Sequence, residues 1–152
     1  MVLRETLISR YVLNVNSLSY PKMSEILAVI MLLDIDIMVL TDTRHRESMC
    51  KSYTSQIKSL LGPHTKCFHS PIAPHKNKRG LSSSVGGQLM IVSHKWSGAV
   101  SDHFQDPTSL GLVSGIRVTT GKGSLLVMGN YWPYPPAEQD GCLLYTSDAA
   151  DE

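Results

Sequence analysis

No apolar stretch in this chain approaches the roughly 20 residues that a membrane-spanning helix needs. The longest candidate, Ile26 to Leu33, falls far short. Residues 1–10 carry Arg4 and Arg10 but no apolar segment followed by a small-residue cleavage site, so no secretory leader is expected there. Only three cysteines occur, Cys50, Cys67 and Cys142, at no metal-ligand spacing. An odd number cannot all pair, which points to reduced thiols in an intracellular protein with no disulfide partner. His45, His64, His69, His75 and His94 likewise show no spacing of a metal motif. Gly121-Lys122-Gly123 lacks the preceding glycine and the length of a phosphate loop, so it reads as a turn. There is no internal repeat and no low-complexity block.

What remains describes one globular domain. The chain has 152 residues, of which 42% are apolar, enough for a real core and too short for two ordinary domains. Residues 142–152, beginning Cys142-Leu-Leu-Tyr145, resemble the in-frame translation of a transposase adapter used in sequencing libraries. They are read as a non-native tail and set aside, leaving residues 1–141 as the domain. Without Asp148, Asp151 and Glu152 the acidic residues fall from 13 to 10 against 14 Lys+Arg, and the net charge moves from +1 to +4. That is compatible with a polyanionic partner.

The hydropathy pattern reads as strand, helix, strand, helix, then several strands. Leu7–Val15 is a strand apolar on both faces, as in a sheet covered on both sides. Pro21 and the spacing of Met23, Ile26, Leu27, Ile30, Met31 and Leu33 mark an amphipathic helix of about three turns. Ile35–Thr41 is a second strand, and Glu47–Leu61 a second helix stopped by Gly62-Pro63. Cys67–Ile72 reads as a short strand, His75–Gly87 as a loop, Gly87–Ser93 as a strand and Ser97–Ser109 as a polar connection. Leu112–Thr119 and Ser124–Asn130 form a hairpin about Thr120-Gly-Lys-Gly123. This order predicts an α/β fold with helices outside packed sheets.

Polar side chains close three of the apolar strands. Strand alternation puts Asn14 and Asn16 on the face of Val12, and Asp42 on the face of Met38 and Leu40, while Tyr131 follows Leu125–Asn130. Singly, each suits a structural role: amides starting a turn, a carboxylate capping one, an aromatic packed at a strand end. In sequence order, however, Asn14-Val-Asn16, Thr41-Asp42-Thr43, Gly86-Gly87-Gln-Leu-Met-Ile-Val92 and Tyr131-Trp132-Pro133 resemble the motifs of the endonuclease/exonuclease/phosphatase superfamily. The likeness is greatest to the nicking endonucleases of non-LTR retrotransposons and runs from Leu7 to Pro136.

The resemblance implies the N-terminal part of a four-layer α/β sandwich and Mg²⁺- or Mn²⁺-dependent hydrolysis of DNA phosphodiesters. By the same resemblance Asn14 is a catalytic amide with Asn16 accessory to it, Asp42 holds the metal, and Tyr131 reaches the scissile phosphate. Lys76, Lys78 and Arg79 would touch the DNA backbone. Two departures matter. The family's Gln-Glu-Thr is Thr41-Asp42-Thr43 here, shortening the ligand's reach by about 1.5 Å. Its later motifs, Gly-Asp-x-Asn and Ser-Asp-His, are missing after Tyr131; Ser101-Asp102-His103 spells the second but precedes the tyrosine. The expectation is therefore a truncated domain, inactive alone, with exposed sheet edges prone to aggregation. A phosphatase or phosphodiesterase acting on inositol phosphates or lipids, and a decayed non-catalytic copy, remain open alternatives.

Overall fold

The computed structural model describes residues 7–73 and 85–132. Lys76, Lys78, Arg79 and the tail from Cys142 lie outside the described residues. The first sheet holds β1 (Arg10–Asn14), β2 (Ile37–Thr41), β3 (Lys66–Ser70) and β4 (Gln88–Val92), in the order β1-β2-β4-β3. β1 runs parallel to β2, whereas β4 is antiparallel to both β2 and β3. The second sheet is an antiparallel meander of β5 (Val100–Gln105), β6 (Val113–Thr120) and β7 (Gly123–Asn130). Thr120 pairs with Gly123, so Gly121-Lys122 is the two-residue hairpin turn.

The helices are α1 (Tyr20–Leu33), α2 (Glu47–Leu61) and the single turn α3 (His94–Ser97). Ser19 caps α1 by accepting the Lys22 N–H at 3.3 Å, and Pro21 lies in its first turn, where a missing N–H costs nothing. Met23, Ile26, Leu27 and Ile30 form its buried stripe. α2 follows the predicted range and turns Tyr53 and Ile57 inward.

Period-two alternation in β2 and β4 separates two cores. Met38, Leu40, Leu89 and Ile91 pack against α1 and α2, while Ile37, Val39, Met90 and Val92 pack against Ile116, Val118 and Val127 of the second sheet. The result is a helical layer, a mixed sheet and an antiparallel sheet. This is a mixed α/β architecture, as the element order implies.

Several expectations need correction. β1 starts at Arg10 and ends at Asn14, and it is exposed along its length instead of covered on both faces. It is an edge strand, so apolar residues such as Val12, 63% exposed, lack a cover among the described residues. The polar connection Ser97–Ser109 contains β5. Its sequence, Val-Ser-Asp-His-Phe-Gln, hides a strand because pairing with β6, and not burial, holds it there.

Candidate functional site

β1 and β2 are parallel, so their C-terminal ends leave the sheet side by side, with Asn14 opposite Thr41. The chain beyond β1 then clings to the segment beyond β2: the N–H groups of Val15, Ser17 and Leu18 donate to the carbonyls of Thr41, Asp42 and Thr43 at 3.0, 2.8 and 2.9 Å. Both segments adopt left-handed backbone, at Asn16 (φ 45°), Ser17 (φ 73°), Asp42 (φ 53°) and Arg44 (φ 55°). Such conformations cost about 1–3 kcal/mol each and persist only where surrounding contacts impose them.

Those contacts are identifiable. Lys22 of α1 donates its ammonium to the carbonyls of Val15, Asn16 and Ser17 at 2.7, 3.3 and 2.8 Å. From the other side, the N–H groups of Thr43 and Arg44 donate to the carbonyls of Gly87 and Gly86 at 3.1 and 2.8 Å. A Cβ on Gly87 (φ 82°) would lie 2.7 Å from Thr43 Oγ1, so the glycine permits this close approach.

Asp42 is the centre of the rim, its side chain 3% exposed. Its Oδ1 accepts the Gly86 N–H at 3.0 Å and Arg44 Nε at 3.1 Å, and its Oδ2 accepts Arg44 Nη2 at 3.0 Å. The same Nη2 donates to Asn16 Oδ1 at 2.8 Å. A two-pronged ion pair of this kind fixes orientation as well as charge. The Asp42 hydrogen bond holds the Arg44 pKa above its ordinary value.

The second sheet supplies Tyr131. Its N–H donates to the Leu112 carbonyl at 2.8 Å as it leaves β7. Gly129, two residues earlier, lies against Gln88 and Val39, where any side chain would collide, and so lets β7 close on the first sheet. Burial, followed by the nearby Asp42 charge, raises the Tyr131 pKa. Asn16, Asp42 and Arg44 therefore meet at one rim, and Tyr131 lies near enough to Asp42 to feel its charge.

Asn14 behaves differently. Its Oδ1 accepts the N–H of Asn16 at 3.0 Å, closing a local turn, and left-handed Asn16 breaks the strand alternation that would have aligned the two amides. The amide reaching the rim is that of Asn16. No sequence pattern marks Arg44, because nothing in a two-residue offset from Asp42 reveals that left-handed backbone will fold its guanidinium back.

A carboxylate has about four lone-pair positions. Gly86 and Arg44 take three on Asp42, and the Tyr131 phenol is a further partner of the same carboxylate. Mg²⁺ commonly takes one or two protein carboxylates and completes its shell with water and phosphate. An ion held by Asp42 would have to displace one of these partners, and Arg44 is the cation already paired with the carboxylate.

A second cluster lies behind the rim on the helical side. The buried His45 ring accepts or donates through Nδ1 to Thr43 Oγ1 at 2.7 Å and through Nε2 to His69 Nδ1 at 3.1 Å. His69 Nε2 in turn meets Thr54 Oγ1 at 2.7 Å. Burial lowers the pKa of His45 to about 3 and that of His69 to about 4, so both rings are neutral at pH 7. Cys50 Sγ stands within 4.8 Å of the two ring nitrogens. No spacing in the chain signals this group, because it is the pairing of β3 with β4 that carries His69 back to α2. No protein-family model matches the chain, and no curated protein matches it.

Proposed function

We propose that this chain carries the Asn–Asp–Tyr part of a Mg²⁺-dependent phosphodiesterase site, in a four-layer sandwich of the endonuclease/exonuclease/phosphatase type, and that the intact protein nicks DNA. The reading is carried by one observation: Asn16, from the segment after β1, is tied to the Asp42–Arg44 pair at the end of β2 in a single rim, with Tyr131 at the end of β7 near enough to feel the Asp42 charge. Phosphoryl chemistry needs donors aimed at developing negative charge. The Arg44 guanidinium and the Tyr131 phenol are such donors, and the Asn16 amide orients the guanidinium. Mg²⁺ or Mn²⁺, held through Asp42, would supply Lewis-acid polarisation of the phosphate. Arg44 pairs with Asp42 until phosphate enters, and then offers its planar fork to the new anion.

The test is nicking of supercoiled plasmid with Mg²⁺ by a version of the protein that also carries Gly-Asp-x-Asn and Ser-Asp-His motifs. Nicking is expected, with loss of at least a hundredfold in rate on Asp42→Ala; unchanged activity in that variant would remove the proposed metal ligand. The 152 residues alone should not nick. The Asp42–Arg44 pair also favours a second reading, a decayed copy in which the arginine has replaced the cation permanently. Failure of Mg²⁺ to bind even in Arg44→Ala would select that reading.

A further inference from the structure

The rim leaves the His45–His69–Cys50 group unused. His45 Nε2 and His69 Nδ1 approach to 3.1 Å, and Cys50 Sγ joins them within 4.8 Å. Around a tetrahedral zinc ion, bond lengths of about 2.0–2.3 Å put neighbouring donor atoms roughly 3.3–3.7 Å apart. The two nitrogens, at 3.1 Å, need to part by only a few tenths of an ångström, and the thiol, within 4.8 Å, needs to approach by about an ångström. The outward nitrogen of each imidazole is held by a threonine hydroxyl, Thr43 for His45 and Thr54 for His69, both at 2.7 Å. Metal-ligating histidines typically have their second nitrogen fixed in this way.

We propose that His45, Cys50 and His69 form a binding site for a borderline-soft divalent ion of the zinc class, separate from the Asp42 rim. Two imidazoles and a thiolate select zinc over magnesium or calcium, which prefer oxygen. The three ligands come from the β2–α2 connection, α2 and β3, so the ion would tie the helical layer to the sheet. Cys50 and His69 also line a cavity of about 590 Å³ with Glu47, Gln105 and Ser109, which gives solvent access to a fourth, water-filled position. Binding releases one proton, from the Cys50 thiol; the imidazole whose N–H spans the 3.1 Å His45–His69 contact shifts that proton to its nitrogen facing threonine, so each ring still holds one. Burial raises the Cys50 pKa to about 11, so affinity should increase with pH.

Co²⁺ titration of the whole chain, reduced, provides the test. Equimolar Co²⁺ should produce tetrahedral d–d bands together with thiolate-to-cobalt charge transfer, and Zn²⁺ should displace both. Cys50→Ser should lose the charge-transfer band, whereas Cys67→Ser should keep it. Thr54→Val, which leaves all three ligands in place, should weaken binding about 10–100-fold. Absence of charge transfer in the folded wild-type chain would overturn the proposal. So would an undiminished band in Cys50→Ser.

Discussion

Arg44 does two jobs at the rim: its Nε and Nη2 neutralise the buried Asp42 carboxylate, and Nη2 also holds Asn16. Arg44→Ala would strip two hydrogen bonds from Asp42 while leaving the Gly86 N–H. Hydrogen bonds to charged groups contribute about 1.5–3 kcal/mol each when a partner is removed, and partial exposure of Arg44 moderates the loss, so a cost of about 2 kcal/mol is expected. The urea midpoint measures it. If Asp42 holds Mg²⁺ as proposed, the same variant should bind the ion more tightly than wild type, because the competing cation is gone; isothermal titration checks this. Gly87 is a second sensitive position. Gly87→Ala adds a methyl against Thr43 Oγ1 at a left-handed backbone position and should cost about 1–3 kcal/mol. A thermal melt unchanged from wild type would show that Thr43 and the Gly86-Gly87 turn are less tightly clamped than their hydrogen bonds imply.

At the scale of elements, the two helices and β2 and β4 have clear reasons to form. The Met23, Ile26, Leu27, Ile30 stripe and the Ser19 cap define α1, and five consecutive buried residues in β2 define the sheet's centre. β1 is the weak element. Tyr11, Val12 and Leu13 are exposed on an edge strand, the arrangement that templates pairing with another chain. Val12→Lys should therefore lower self-association without lowering the melting temperature by more than a few degrees. Light scattering against concentration reads the first quantity and circular dichroism the second.

For the whole molecule, the His45–His69 pair couples stability to pH. Both folded-state values, about 3 and about 4, lie below the ordinary value of 6.5, because burial disfavours the imidazolium. The stabilisation that comes from keeping them neutral is fully present above about pH 6.5 and is lost as pH falls toward 4, where the unfolded chain takes up protons that the folded one refuses. Denaturant midpoints should be flat between about pH 7 and 8 and decline steadily below 6.5. Replacing His69 by Gln should flatten that decline.

Element order, the span of α2, the hairpin about Gly121-Lys122 and the polar residues closing each strand were legible in the chain, because periodicity and turn chemistry act over a few residues. β5 was not, since its strand character comes from pairing with β6 and its own residues alternate only weakly. Nor could local sequence tell that Asn16 and not Asn14 would reach the rim, that Arg44 would fold back on Asp42, or that His69 would meet His45 and Cys50. Those facts depend on left-handed backbone and on side-chain contacts across 24 or more residues, as in His45–His69. Such contacts are set by packing between layers, and no local pattern encodes them.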